Sequence, residues 1–153
     1  MDITNYLKAG YPALCIETTE PLRAIVSIET GTWQVFTWDC LRGISEPASG
    51  RIVEDITDPI EAVKWLAEKN DTVLMVQNFH HFIGSVEIIQ EIQNCIAVLK
   101  ASGCCLATVG PSAQLPAEIA GFFTSLSFSL PSREAIEQIQ ADLAETVGTR
   151  VDQ

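Results

Sequence analysis

Val73-Leu74-Met75-Val76-Gln77-Asn78 is a run of four apolar residues closed by two neutral amides. Both alternating sets are apolar, so a strand here must be covered on each face, as parallel strands between helical layers are. Residues 104–109, Cys-Cys-Leu-Ala-Thr-Val, repeat the pattern. Working outward, 12–16, 34–38 and 126–130 complete five expected strands, the second rich in β-branched and aromatic residues.

Helical spacing fills the gaps. Asp2 is positioned to cap a short helix that Gly10 ends. Thr19 is the expected cap of a helix carrying Leu22, Ile25, Val26 and Ile28. Asp58 with Glu61 forms a capping-box-like start for Ile60, Val63 and Leu66. Ser85 opens a long helix with Ile88, Ile89, Ile92, Ile96 and Leu99 on one stripe, and Gly103 ends it. A short helix is expected within 115–123, and Ser132 caps a last one presenting Ile136, Ile139, Leu143 and Val147. Residues 44–57 are irregular, with turn signals at Ser45, Pro47, Ser49 and Gly50 and a short extended piece near 51–53. Strands alternating with helices, joined by right-handed crossovers, predict one α/β domain over residues 1–153: a three-layer sandwich around a mostly parallel five-stranded sheet.

Composition narrows the function. The chain carries 20 acids against 9 bases, a formal net charge of −11. Nucleic acid and anionic membranes are disfavoured as partners, because both demand clustered Lys and Arg. No apolar run approaches the roughly 18 residues of a membrane span. The start, Met1-Asp2-Ile3-Thr4-Asn5, is unlike a signal peptide. Five cysteines, an odd number without a Cys-x-x-Cys, suit a reducing compartment. The expected location is the cytoplasm or a plastid stroma.

The strand at 73–76 with its polar exit, followed by Ala107-Thr108-Val109-Gly110-Pro111, Leu115-Pro116-Ala117-Glu118-Ile119 and Leu126-Ser127-Phe128-Ser129-Leu130-Pro131-Ser132-Arg133-Glu134, resembles the AAA+ ATPase core. Four segments, Gly10-Tyr11-Pro12, Trp38-Asp39-Cys40-Leu41-Arg42-Gly43-Ile44, Asn78-Phe79-His80-His81-Phe82 and Leu130-Pro131-Ser132-Arg133-Glu134, narrow the likeness. They resemble the N-terminal, non-catalytic part of the plastid and cyanobacterial AAA+ ATPases named after a hypothetical chloroplast open reading frame. The likeness spans residues 3–145. It implies a degenerate P-loop, AAA+-like sheet with strand order 5-1-4-3-2. In that family a complete ATPase module follows. The chain reaches Gln153 without one, so the resemblance carries the fold and not the ATPase activity.

A P-loop needs glycines and a Lys-Ser/Thr pair after the first strand, so that backbone amides and the helix N-terminus meet phosphate. Here that turn is Glu17-Thr18-Thr19-Glu20-Pro21, with no glycine, no lysine and two carboxylates. Glu20 itself satisfies the helix dipole, worth about 0.3–1 kcal/mol. Nucleotide hydrolases of this class end the strand at 73–76 in acids that hold magnesium; Gln77 and Asn78 bind it poorly and cannot act as general bases. No cofactor is expected.

The remaining candidates are modest. His80 and His81 lack partner ligands at zinc spacing, so no metal site is expected. Cys104 and Cys105 face opposite layers and read as small core hydrophobes. Asp39 and Arg42 read as a turn lock. Trp65 lies off the apolar line of its helix, which would suit an interface if it faced solvent. In open α/β sheets, ligands bind beyond the strands' C-terminal ends. Thr18, Asp39, Arg42, Gln77, Asn78, His80, His81 and Gly110 gather there as the candidate ligand or partner edge. No catalytic constellation is found. The expected function is nucleotide-independent protein interaction or assembly, with a protein partner or an AAA+ module. The alternative is small-molecule or nucleotide sensing without hydrolysis.

Overall fold

The computed structural model describes residues 1–111 and 114–128. Its order is α1 (Thr4–Lys8), β1 (Ala13–Glu17), α2 (Pro21–Ser27), β2 (Gln34–Asp39), β3 (Gly43–Ser45), β4 (Ile52–Glu54), α3 (Pro59–Ala67), β5 (Thr72–Gln77), a 3-10 turn (Phe79–His81), α4 (Val86–Ser102), β6 (Cys105–Gly110), α5 (Ala117–Ala120) and β7 (Phe123–Ser127). The expected helix from Ser132 lies outside the described residues.

The strands form one seven-stranded sheet in the order β4-β3-β2-β5-β6-β1-β7. It has two strands more than the expected five, β3 and β4 at one edge. The β2–β5, β5–β6, β6–β1 and β1–β7 pairings are parallel, and β3 and β4 add an antiparallel edge beyond β2. The edge forms because Asp39 Oδ1 accepts the amides of Leu41 and Arg42 at 2.9 and 2.7 Å, turning the chain back on β2. Gly43 then adopts φ +88°, with the Glu54 carbonyl 2.5 Å from where a Cβ would lie. The last strand is also displaced, to Phe123–Ser127 from the expected 126–130, because pairing with β1 sets its register from Ala13↔Phe123 to Glu17↔Ser127.

Alternate residues of β5, all buried except Gln77, face two cores. Leu74 and Val76 pack with Trp38, Leu66, Phe79, Ile92 and Leu99 under α3 and α4. Val73 and Met75 pack with Ile3, Leu7, Leu14, Ile16 and Ile25 under α1 and α2. Cys104 falls in the first core and Cys105 in the second, on opposite sheet faces. Burial and the neighbouring Cys104 push the Cys105 thiol up to about 12, and burial takes Cys95 to about 11.

Caps settle the helix ends. Asp58 Oδ1 accepts from the Ile60 amide at 2.7 Å and more weakly from Glu61 at 3.4 Å. Gly103 closes α4 in the left-handed region. The α2 helix departs from expectation: Glu20, not Thr19, precedes its first turn, Pro21 occupies the first position, and Ile28 is already extended. Seven residues bury only Ala24 and Ile25, leaving Leu22 63% and Val26 64% exposed. Trp65 is half-buried, its ring edge-on to Phe36 at 5.3 Å with Lys69 Nζ 4.8 Å from the ring centre. Among the described residues no helix is long and apolar enough to cross a membrane.

Candidate functional site

Parallel strands deliver their C-terminal ends to one edge, and the candidate residues lie along it in two groups. The inner group follows β1, β5 and β6. The Thr18 amide donates to the Gly110 carbonyl at 2.7 Å, and Thr18 Oγ1 accepts the Glu20 amide at 3.0 Å. The Phe128 amide donates to the Glu17 carbonyl at 2.9 Å. With Pro21 lacking an N–H, two of the turn's amides point at protein oxygens and a third position has no donor to give.

Asn78 takes φ +57° after β5, a left-handed turn that Asn tolerates, and its carbonyl accepts the His81 amide at 3.1 Å. The reversal sends Phe79 into the core, where it meets Trp38 edge-on at 5.9 Å. His80 and His81 stack with ring centres 4.1 Å apart. Burial and the adjacent His81 hold His80 below the ordinary imidazole range. His80 lines a cavity of about 20 Å³ with Cys15, Phe79, Thr108 and Gly110. That is room for about one water. Gly110 borders the gap, where a Cβ would lie in ordinary contact with His80, 3.7 Å from Nδ1.

The outer group lies over β2 and β5, on the face that carries α2. Arg42 Nε donates to Asp39 Oδ2 at 3.0 Å, closing the β2–β3 turn. Burial opposes ionisation of Asp39, but the Arg42 and Leu41 amides and the Arg42 guanidinium outweigh it, and its carboxyl is held below the usual range. Gln77 Nε2 donates to Thr37 Oγ1 at 3.2 Å, and that hydroxyl donates to the Met75 carbonyl at 3.0 Å. The first amide of the pair therefore ties β5 to β2. Arg42, Gln77 and Thr37 line a groove of about 300 Å³ with Leu22, Val26 and Pro47.

The eight candidates do not form one constellation. Thr18, Gly110, His80 and His81 belong to the inner group, Asp39, Arg42 and Gln77 to the outer, and Asn78 turns the chain between them. Among the described residues no three His, Cys, Asp or Glu side chains converge as a metal site. The sequence reading missed Leu22, Val26 and Leu41, the last 86% exposed. Leu22 and Val26 read as core because i,i+4 apolar spacing is the core signal; the short span between Pro21 and Ile28 is the feature that could have set them apart.

The family model for the SpoVK-like AAA ATPase N-terminal domain matches residues 1–128. The chain is 23% identical to the AAA domain-containing protein ycf46 of Trieres chinensis over 153 residues, covering 95% of this chain and 31% of that protein. It is 29% identical to the AAA domain-containing protein ycf46 of Gracilaria tenuistipitata var. liui over 84 residues, covering 53% of this chain and 17% of that protein. The chain thus spans less than a third of either relative. Among solved structures, a chain of Drosophila ORC bound to DNA aligns with 90% of this chain and 42% of its own length, at 12% identity and a TM-score of 0.41.

Proposed function

The chain belongs to the SpoVK-like AAA ATPase N-terminal domain family, and from that premise we propose that it works without nucleotide, as a domain for protein interaction or assembly within an AAA+ module. The observation that carries this reading is the turn after β1. Its Thr18 and Glu20 amides are bonded to protein oxygens, and Pro21 offers none. A phosphate arriving there would have to displace those bonds and approach two glutamates, with no lysine to offset their charge. The end of β5 supports the same reading, since Gln77 is tied to Thr37 where a magnesium carboxylate would be needed.

In this proposal the protein acts in a reducing cytoplasmic or stromal compartment, consistent with five free cysteines. Its partners are proteins or an AAA+ ATPase module, rather than nucleic acid. Titration calorimetry of the folded chain with Mg-ATP and Mg-ADP is the test. No heat of binding up to millimolar nucleotide is expected; saturable binding at micromolar concentration would overturn the reading and favour a nucleotide sensor.

A further inference from the structure

Part of β2 has a bare outer edge. The Gln34 amide donates to the Asp71 carbonyl at 3.0 Å, so Gln34 turns its backbone groups towards β5. By the two-residue period of a strand, Phe36 and Trp38 do the same, and Val35, Thr37 and Asp39 turn theirs the other way. On that side Ser45, Ile44 and Gly43 of β3 lie opposite Thr37, Trp38 and Asp39, and β3 ends there. The Glu46 amide is given to the Arg51 carbonyl at 2.9 Å, which folds the chain into β4. The Val35 amide and carbonyl therefore point outwards beyond the last pair of β3, where no described strand lies opposite them. The sheet's outermost strand, β4, is blunted instead: it is three residues long and its register with β3 shifts between Ile44 and Ser45.

This bare stretch borders a second groove, of about 520 Å³, on the face that carries α3. Phe36, Val53 and Trp65 give the groove an apolar patch, with Phe36 and Trp65 edge-on at 5.3 Å. Four charged residues line it as well. Arg51 and Glu46 pair with each other, whereas Lys69 and Glu54 make no salt bridge among the described residues. The Lys69 ammonium rests 4.8 Å from the Trp65 ring centre. The groove thus presents a main-chain donor and acceptor, an apolar patch, and one charge of each sign without an ionic partner. An extended peptide backbone matches that set: it supplies a carbonyl and an amide at the spacing of Val35's own, and its side chains alternate between the two faces.

Resting on the interaction reading above and naming its class of partner, we propose that this notch binds an extended segment of a protein partner by strand addition. The segment pairs with the Val35 amide and carbonyl, in line with β3. Its residue opposite Val35 turns its side chain to the α1–α2 face, as Val35 does, and the residues on either side turn theirs to the α3 face, as Phe36 does. One of those is apolar and packs against Phe36, Val53 and Trp65. An acidic and a basic side chain on the flanks meet Lys69 and Glu54. The bare stretch is short, so the main-chain bonds set the register and the apolar contact supplies most of the affinity.

Peptides selected from a random displayed library on the full 153-residue chain, then titrated into the isotope-labelled protein and followed by NMR, test the proposal. In the free protein the Val35 amide should exchange with solvent faster than the Phe36 amide, which faces β5. A bound peptide should slow that exchange and shift Val35, Phe36 and the Trp65 indole saturably. Val35→Pro removes the outward donor and no bond to β5, and should weaken the peptide about tenfold, the worth of one hydrogen bond. Trp65→Ala should weaken it at least about tenfold through the lost apolar contact, and carries the test if Val35→Pro does not fold. Slow exchange at Val35 in the free protein overturns the proposal, showing that the chain's own residues cover the edge. A selection that yields no binder overturns it too, as do binders that leave Val35 unshifted or keep wild-type affinity for the folded variants. The Mg-ATP titration answers separately: a chain that binds neither peptide nor nucleotide loses the notch and keeps the interaction reading, whereas one that binds both keeps the notch and loses its independence of nucleotide.

Discussion

Replacing Gly43 by alanine separates two physical effects at the edge that carries the groove's outer rim. Gly43 has φ +88°, and an alanine methyl there would lie 2.5 Å from the Glu54 carbonyl oxygen and 2.8 Å from the Ile56 amide nitrogen. Both obstacles are backbone, so no side chain can rotate away. Gly50 is the natural control: its φ is +73°, but nothing lies within 4 Å of the place an alanine methyl would take. Gly50→Ala should therefore cost only the left-handed conformation, about 1 kcal/mol. Gly43→Ala should add about 1–3 kcal/mol of overpacking, for a total of about 2–4 kcal/mol. In a domain of this size each kcal/mol moves the midpoint by about 2–4 °C, so losses of about 2–4 °C and about 5–15 °C are expected. Differential scanning fluorimetry with matched urea titrations reads both. Amide shifts in the Gly43 variant should concentrate on β3, β4 and Ile56. Equal destabilisation by the two variants would refute the close approach of β3 and β4 on which the edge depends.

Two further outcomes follow from the buried groups. The folded state holds His80 below its ordinary value of 6.5, so its contribution to stability is fully present above that pH and is lost as pH falls through the lower, folded-state value; urea titrations in that window should show a shallower pH dependence for His80→Gln, and an unchanged slope would count against burial of the imidazole. Of the five cysteines only Cys40 is exposed, so Ellman's reagent should titrate one thiol quickly in the native protein and all five in denaturant; fast reaction of several thiols in buffer would contradict the two closed cores.

Some of this was legible in the residues alone. The run at 73–76 announced a strand covered on both faces, because every position is apolar and the run is too short for a helix. The neighbouring Cys104 and Cys105 were assigned to opposite layers by the two-residue period of a strand. The acidic, glycine-free turn at 17–21 was readable because a phosphate cradle needs particular residue types in sequence. That Thr18, Gln77 and Gly110 follow strands ending on one edge could be foreseen, since parallel strands share one C-terminal side.

The tertiary structure decided the rest. Residues 43–45 contain a single large apolar side chain, so nothing periodic marks a strand; the turn made by Asp39 and the close approach of Gly43 to Glu54 create it. The bounds of β7 follow from its pairing with β1, whereas its alternating apolar residues, Leu126 and Phe128, mark a face but not where the strand begins. The exposure of Leu22 and Val26 depends on how few residues of α2 reach the sheet, a matter of where the helix ends in space. Sequence by itself determined which segments must be buried and which chemistry the first turn lacks, because hydrophobic patterning and residue type act locally. Only the tertiary structure decided that the candidate edge divides into a closed inner cluster and an open apolar groove, because that division depends on which distant loops pack against each strand end.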